Sequence, residues 1–218
     1  MGKVATKKYP NGKITRDAFV TNVFYKAEET AAKEKAYLEL IRKWPVANFP
    51  GDELTYDYVL GSLATSFAKH GHAKKATYYL SEMKERFWRG NGYLPAGQAL
   101  FAAGDTLAAA PIFKTAMDDA YYYISLPEQQ KDNKARFAAM GYASSMSAYV
   151  NILVGQRKYQ DALDYIDKAL VAAPDQADGL AKVHAKTLLG VNRKLEAYNI
   201  LSRLYAKGQF ETEPELKK

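Results

Sequence analysis

The chain has 218 residues, 48% of them hydrophobic and 25% charged, enough for one sizeable domain or an array of small units. It contains no cysteine, which excludes disulfides, thiol catalysis and thiolate metal sites together, and no apolar run nears the roughly 20 residues of a membrane helix. The net charge of +7 is concentrated at the start, where Lys3, Lys7, Lys8, Lys13 and Arg16 precede the first acid, Asp17, and account for +5, leaving +2 for the rest.

In chain order, residues 1–14 are expected to be a solvated, disordered basic tail without a hydrophobic signal-peptide core. "MGKVAT" also satisfies the loose N-myristoylation pattern through Gly2 and Thr6, although Met-Gly added at the cut edge of a larger protein explains it equally. From Thr15 onward, apolar residues recur at three- and four-residue intervals and β-branched alternation is nearly absent, so the spacing predicts an all-α fold. Breaks are expected at Trp44 to Asp52, His70 to His72, Arg89 to Gly92, Ala102 to Asp105, Ser125 to Asn133, Val154 to Lys158, Ala172 to Asp175 and Leu189 to Lys194. Each piece between them is one helix long. Pro111 falls inside a predicted helix, where a kink or a later start is expected. That helix is expected to run to about Tyr123 and break near Pro127, with the next starting near Asn133. Residues 209–218 read as a charged tail.

The pieces repeat. In "YQDALDYIDKALVAAP", Tyr159, Ala162, Ile166, Ala169, Leu170 and Pro174 have a spacing that resembles the second helix of the tetratricopeptide repeat (TPR) family. The small residue recurs as Ala76, Ala109, Ala162 and Ala197, at intervals of 33, 53 and 35 residues against a family period of about 34. Leu80, Phe113, Ile166 and Leu201 follow four residues later. Preceding partner helices carry Leu60, Leu63, Ala64 and Phe67; Tyr93, Ala96, Gly97 and Leu100; Met146, Tyr149, Val150 and Leu153; and Leu180, His184, Ala185 and Leu188. "RDAFVTNVFYKA" and "AAKEKAYLELIRKWP" read as a degenerate opening pair. The resemblance implies one domain over 15–208, about five antiparallel helix pairs in a right-handed superhelix, with an irregular insertion at about 120–135.

Asp161, Asp164 and Asp167 stand on nearby turns and look able to gather a cation, but no glycine-bearing calcium loop surrounds them, so a solvated face is expected. His70 and His72 flank a turn glycine and lack a third ligand, and His184 sits at an apolar helix position; no metal site, cofactor or catalytic group is expected. No phosphate loop, nucleophile elbow or zinc-protease helix occurs, so the chain is not read as an enzyme. Five of the 17 tyrosines cluster at Thr77 to Leu80 and Ala120 to Ile124, where they either fill inter-helix gaps or offer a partner surface around Tyr121, Tyr122 and Tyr123.

The resemblance places function on the concave face lined by the first helix of each pair. Carried onto this chain, it nominates Tyr58, Ser62, Thr65 and Lys69; Asn91 and Gln98; Ser147 and Asn151; and Lys182 and Lys186 as partner-binding residues. That polar, mildly basic face suits an extended peptide or a partner domain. It does not reproduce the family's carboxylate clamp for chaperone C-termini, because the required lysine and asparagine are here Gly61 and Thr65. The expected function is a non-catalytic interaction scaffold with a protein or peptide partner, no nucleic acid and no membrane insertion; a homodimer is compatible with it. The alternative rests on a second resemblance. "KKYPNGKITRDAF" with "YLELIRKWP" is similar to the helical region preceding thioredoxin-like domains of bacterial envelope proteins, which implies a dimerisation module and a periplasmic location.

Overall fold

The computed structural model describes residues 9–131 and 133–207. The tail residues 1–8, with the Gly2 and Thr6 pattern, and 208–218 lie outside them. Ten α-helices follow: α1 (Lys13–Phe19), α2 (Thr30–Lys43), α3 (Glu53–Lys69), α4 (Ala73–Ser81), α5 (Arg86–Ala102), α6 (Thr106–Ile124), α7 (Asn133–Gly155), α8 (Tyr159–Ala172), α9 (Ala177–Gly190) and α10 (Lys194–Ala206). Among the described residues there is no strand, and the fold class is all-α. The chain divides into two compact units, Met1–Ala108 and Ala109–Lys218, with the division in the first turn of α6.

One turn geometry recurs four times. The helices on either side of His70 to His72, Ala103 to Asp105, Gln156 to Lys158 and Val191 to Arg193 are joined by three residues whose middle member has positive φ: Gly71 at 73°, Gly104 at 84°, Arg157 at 61° and Asn192 at 62°. In each, the amide after that residue bonds the carbonyl five positions back: His72 to Phe67, Asp105 to Leu100, Lys158 to Leu153 and Arg193 to Leu188, all at 2.9 to 3.0 Å. This Schellman-type closure satisfies carbonyls that the helix end leaves open, and it demands a left-handed residue. The four turn residues lie 33, 53 and 35 apart, and each precedes by five one of Ala76, Ala109, Ala162 and Ala197, all 0% exposed. The sequence period thus has a backbone counterpart.

In the first unit α3 is central, with α2, α4 and α5 packed on it. Leu63 and Ala64 of α3, Leu40 of α2, Leu80 of α4 and Leu100 of α5 are fully buried, each large side chain stabilising the unit by about 1.5 to 3 kcal/mol. A ring stack ties three of the helices together. Tyr37 meets Tyr79 edge-on at 5.5 Å, and Tyr79 lies flat on Phe67 at 5.6 Å. The Tyr79 hydroxyl donates to Glu34 at 2.6 Å, and Lys75 bonds the same carboxylate at 2.7 Å. Burial alone pushes the Glu34 carboxyl up, but these two donors outweigh it and hold it below its ordinary value.

The basic opening differs from its expected solvated state in one respect. Arg16, counted among the tail charges, is fully buried in α1. Its guanidinium bonds Asp17 at 2.7 Å and Asp52 at 3.1 Å and lies 4.5 Å over the Phe49 ring. Lys13 joins at 2.6 Å through the other oxygen of Asp52, and the helix begins at Lys13, before residue 15. An arginine with paired carboxylates can enter a core that a lone lysine cannot.

Helix α5 departs from the expected break at Arg89 to Gly92 and runs through it. Two caps hold its start: the Glu85 side chain accepts the Trp88 amide at 3.2 Å, and the buried carboxylate of Asp57 accepts the amides of Lys84 at 3.0 Å and Glu85 at 2.7 Å. The glycine that read as a breaker is a packing residue, since a Cβ on Gly92 would stand 2.8 Å from the Met83 methyl, with Gly61 of α3 opposite. Pro95 is also helical.

In the second unit, α6 starts no later for Pro111. Asp105 accepts the Ala108 amide at 3.0 Å, and the helix continues to Ile124, followed by a 3₁₀ turn at Glu128–Gln130 and then α7 from Asn133. Leu163 of α8, Ala185 and Leu188 of α9 and Ala197 of α10 form a buried cluster, flanked by Val191, Ile200 and Leu201. A Cβ on Gly190 would stand 2.3 Å from the ring of Tyr159, so the end of α9 accepts that ring only as glycine. Contrary to the expectation that no stretch nears membrane length, Asn133–Gly155 of α7 is long and apolar enough to cross a membrane by length and composition, with half of its most apolar window buried inside the chain. Its apolar residues, from Phe137 through the alanines, Met140 and Met146 to Val150 and Ile152 to Val154, are interrupted by Gly141, Tyr142, Ser144, Ser145, Ser147 and Asn151, which hide the run from a search for continuous apolar stretches.

Candidate functional site

Five residues nominated by the repeat register converge. Tyr58, Ser62, Thr65 and Lys69 of α3 and Asn91 of α5 line a cavity of about 480 Å³ in the first unit, a size typical of ligand pockets. Positions 58, 62, 65 and 69 follow one helix face at intervals of three and four, so α3 presents them as a single stripe. Gln98 lines a neighbouring recess that shares Thr65, Lys69 and Pro95 with the cavity.

The remaining walls were not among the expected residues. Trp88 faces Tyr58 with ring centroids 4.8 Å apart and planes tilted by 53°. Met83, Gly61 and Gly92 line the cavity too, where the absent Cβ atoms of the two glycines bring α3 and α5 close. Lys33 of α2, Glu28 ahead of it and His70 complete the polar lining. Spacing along the chain does not find Trp88, because Arg89 to Gly92 reads as a break that cuts it off from the helix beginning at Tyr93. The signal that finds it is the cap, Glu85 three residues before Trp88, which marks a helix start upstream of the glycines.

The polar groups differ in how far they are already engaged. Thr65 donates to the Gly61 carbonyl at 2.8 Å, and the Asn91 amide donates one hydrogen to Phe87 at 3.0 Å, leaving its carbonyl and second N–H. Asp57 lines the cavity but is spent on Lys84 and Glu85; burial pushes its carboxyl up, and the two amides pull against that. Burial likewise raises the Tyr58 phenol. His70 Nδ1 lies 2.9 Å from the Ser66 carbonyl and 3.1 Å from Thr30 Oγ1. Among the described residues Lys33, Lys69 and Glu28 form no ion pair, and Lys33 Nζ lies 5.8 Å over the Phe24 ring. The cavity combines an aromatic wall, uncommitted hydrogen-bonding groups and two ammonium groups without ion pairs.

The other nominated residues lie in the second unit. Asn151 of α7 donates to the Ser147 carbonyl one turn earlier at 3.0 Å, and both residues are half-buried. Lys182 and Lys186 are exposed on α9. A groove of about 830 Å³ in this unit is lined instead by Met117, Tyr121, Tyr142, Met146, Tyr165 and Val171, among others. Tyr121 and Tyr142 meet at 5.9 Å there, while Tyr122 and Tyr123 pack on each other at 5.1 Å.

Asp161, Asp164 and Asp167 are exposed along α8, and Asp164 accepts from Gln160 at 3.1 Å. Among the described residues no three His, Asp or Glu side chains stand close enough to hold a metal ion. His72 abuts the Phe67 ring, and burial lowers the pKa of the half-buried His184, with Asp167 opposing. No family model, curated protein or solved structure matches this chain, so the geometry of the cavity is what speaks for its use.

Proposed function

We propose that this chain is a non-catalytic interaction scaffold of the TPR-like kind, which takes an extended peptide against α3 and α5. The observation that carries this reading is the cavity that gathers Tyr58, Ser62, Thr65, Lys69 and Asn91, residues scattered over 34 positions, on facing stripes of two neighbouring helices. The recurring left-handed turn at intervals of 33, 53 and 35 residues supports the repeat kind. A peptide brings backbone amides and carbonyls that must be paired when they leave water, and Ser62, Asn91 and Gln98 offer such partners. The test is selection of binders from a displayed random peptide library, followed by titration of the enriched sequences into the intact chain and into Thr65→Trp and Asn91→Ala variants. Enriched peptides should bind the intact chain and lose about tenfold or more in each variant, with unchanged thermal midpoints. An absence of enrichment, or binding that ignores both substitutions, overturns it.

A further inference from the structure

The α3–α5 cavity has features that specify more than a generic peptide. One wall is the Tyr58–Trp88 pair, and Met83 beside it offers a thioether, which contacts aromatic rings favourably. Gly61 and Gly92 let α3 and α5 close around the Met83 thioether at the cavity wall, and about 480 Å³ holds a whole side-chain ring with room for flanking backbone. The charge is equally selective. Lys33 and Lys69 carry ammonium groups without ion pairs, Glu28 is the lone uncommitted acid of the lining, and the carboxylate of Asp57 is consumed by two backbone amides.

We infer that the cavity selects an acidic peptide segment that inserts an aromatic side chain beside Trp88 and Tyr58 and sets a neighbouring carboxylate on Lys69 and Lys33. This rests on the scaffold reading above and names the partner's chemistry. The ring supplies buried apolar area and edge-to-face contacts, while the carboxylate gains charge-assisted hydrogen bonds at a half-open rim and sets orientation. Glu28 acts against the acid, so its neutralisation strengthens capture.

The test uses the full-length chain labelled with ¹⁵N, read at the Trp88 indole N–H, with the indole of Trp44, buried against Phe19, as internal control. Four probes are titrated: acetyl-Asp-Phe-Asp-amide, acetyl-Asn-Phe-Asn-amide, acetyl-Asp-Ala-Asp-amide and free N-acetyl-phenylalanine. The first should move the Trp88 signal and not that of Trp44, and should bind about tenfold tighter than either peptide lacking its acids or its ring. Lys69→Gln should remove the preference for Asp over Asn, Glu28→Gln should tighten the acidic peptide severalfold, and raised salt should weaken it. Equal binding of the Asp and Asn peptides, an unmoved Trp88 signal, or capture of the free acid alone overturns the inference. If library-selected peptides fill the cavity without aromatic or acidic residues, this inference falls and the scaffold reading stands. If no library peptide is captured, the scaffold reading falls first.

Discussion

Gly61 and Gly92 face each other across α3 and α5, and a Cβ on Gly61 would lie 3.4 Å from the Cα of Gly92. That distance is ordinary contact, and alanine is the better helix former by about 1 kcal/mol, so Gly61→Ala should be neutral or stabilising. Gly92→Ala displaces only the flexible end of Met83 and should also be mild. Together the two methyl groups compete for one gap, and the double variant should fall about 1 to 3 kcal/mol below the sum of the singles. Urea unfolding of the three variants checks this, and additive values would count against the close approach.

Asp57 links α3 to the start of α5 through the amides of Lys84 and Glu85. Asp57→Ala should cost about 2 to 3 kcal/mol, because both amides lose a charged acceptor in a buried place. Asp57→Asn keeps one acceptor and should cost less. A cost below about 0.5 kcal/mol for the alanine variant would show that water replaces the carboxylate.

Arg16 separates charge from packing. Arg16→Ala removes a fully buried side chain stacked on Phe49 and should lower stability by about 3 kcal/mol, whereas Arg16→Met keeps most of the volume and should lose about 1 kcal/mol. Asp52 and Asp17, 21% and 46% exposed, can be rehydrated in both variants, which is why the methionine loss is small. Equal losses would assign the role to charge.

The four turns make opposite predictions from one geometry. Arg157 holds φ at 61°, so Arg157→Gly should stabilise by about 0.5 to 1 kcal/mol, and Asn192→Gly by less because asparagine tolerates that region. Gly71→Ala should destabilise by about 1 kcal/mol although nothing lies within 4 Å of the added carbon. Thermal melts of the three variants give the signs directly.

Stability should fall at both ends of the pH scale through the stack of α2 and α4. Burial first, then the charge of Glu82, pushes the Tyr37 phenol from 10.0 up to about 12. Its folded pKa exceeds its unfolded one, so its contribution is full below pH 10.0 and is lost as pH rises through about 12. Glu34 has the opposite sign: its lowered carboxyl contributes above 4.5, and that contribution is lost as pH falls through its folded value. Urea midpoints measured across pH, with Tyr37→Phe flattening the alkaline limb and Glu34→Gln the acid limb, check both signs.

The helices, most of their boundaries and the placement of Ala76, Ala109, Ala162 and Ala197 at zero exposure were legible in the sequence, because helical periodicity and turn chemistry are local properties of the chain. The outward face of Asp161, Asp164 and Asp167 was legible for the same reason. Half of the cavity was legible as well, since Tyr58, Ser62, Thr65 and Lys69 fall on one stripe of one helix. The other half was decided in three dimensions. Gly92 reads as a helix breaker until α3 is laid against it, and only then do Trp88 and Met83 become walls. Arg16 reads as a tail charge until Asp52, 36 positions away, comes within 3.1 Å of it. Spacing along a chain says which side chains share a face, whereas burial and pairing depend on what another helix brings to that face, and only the packed structure supplies that partner.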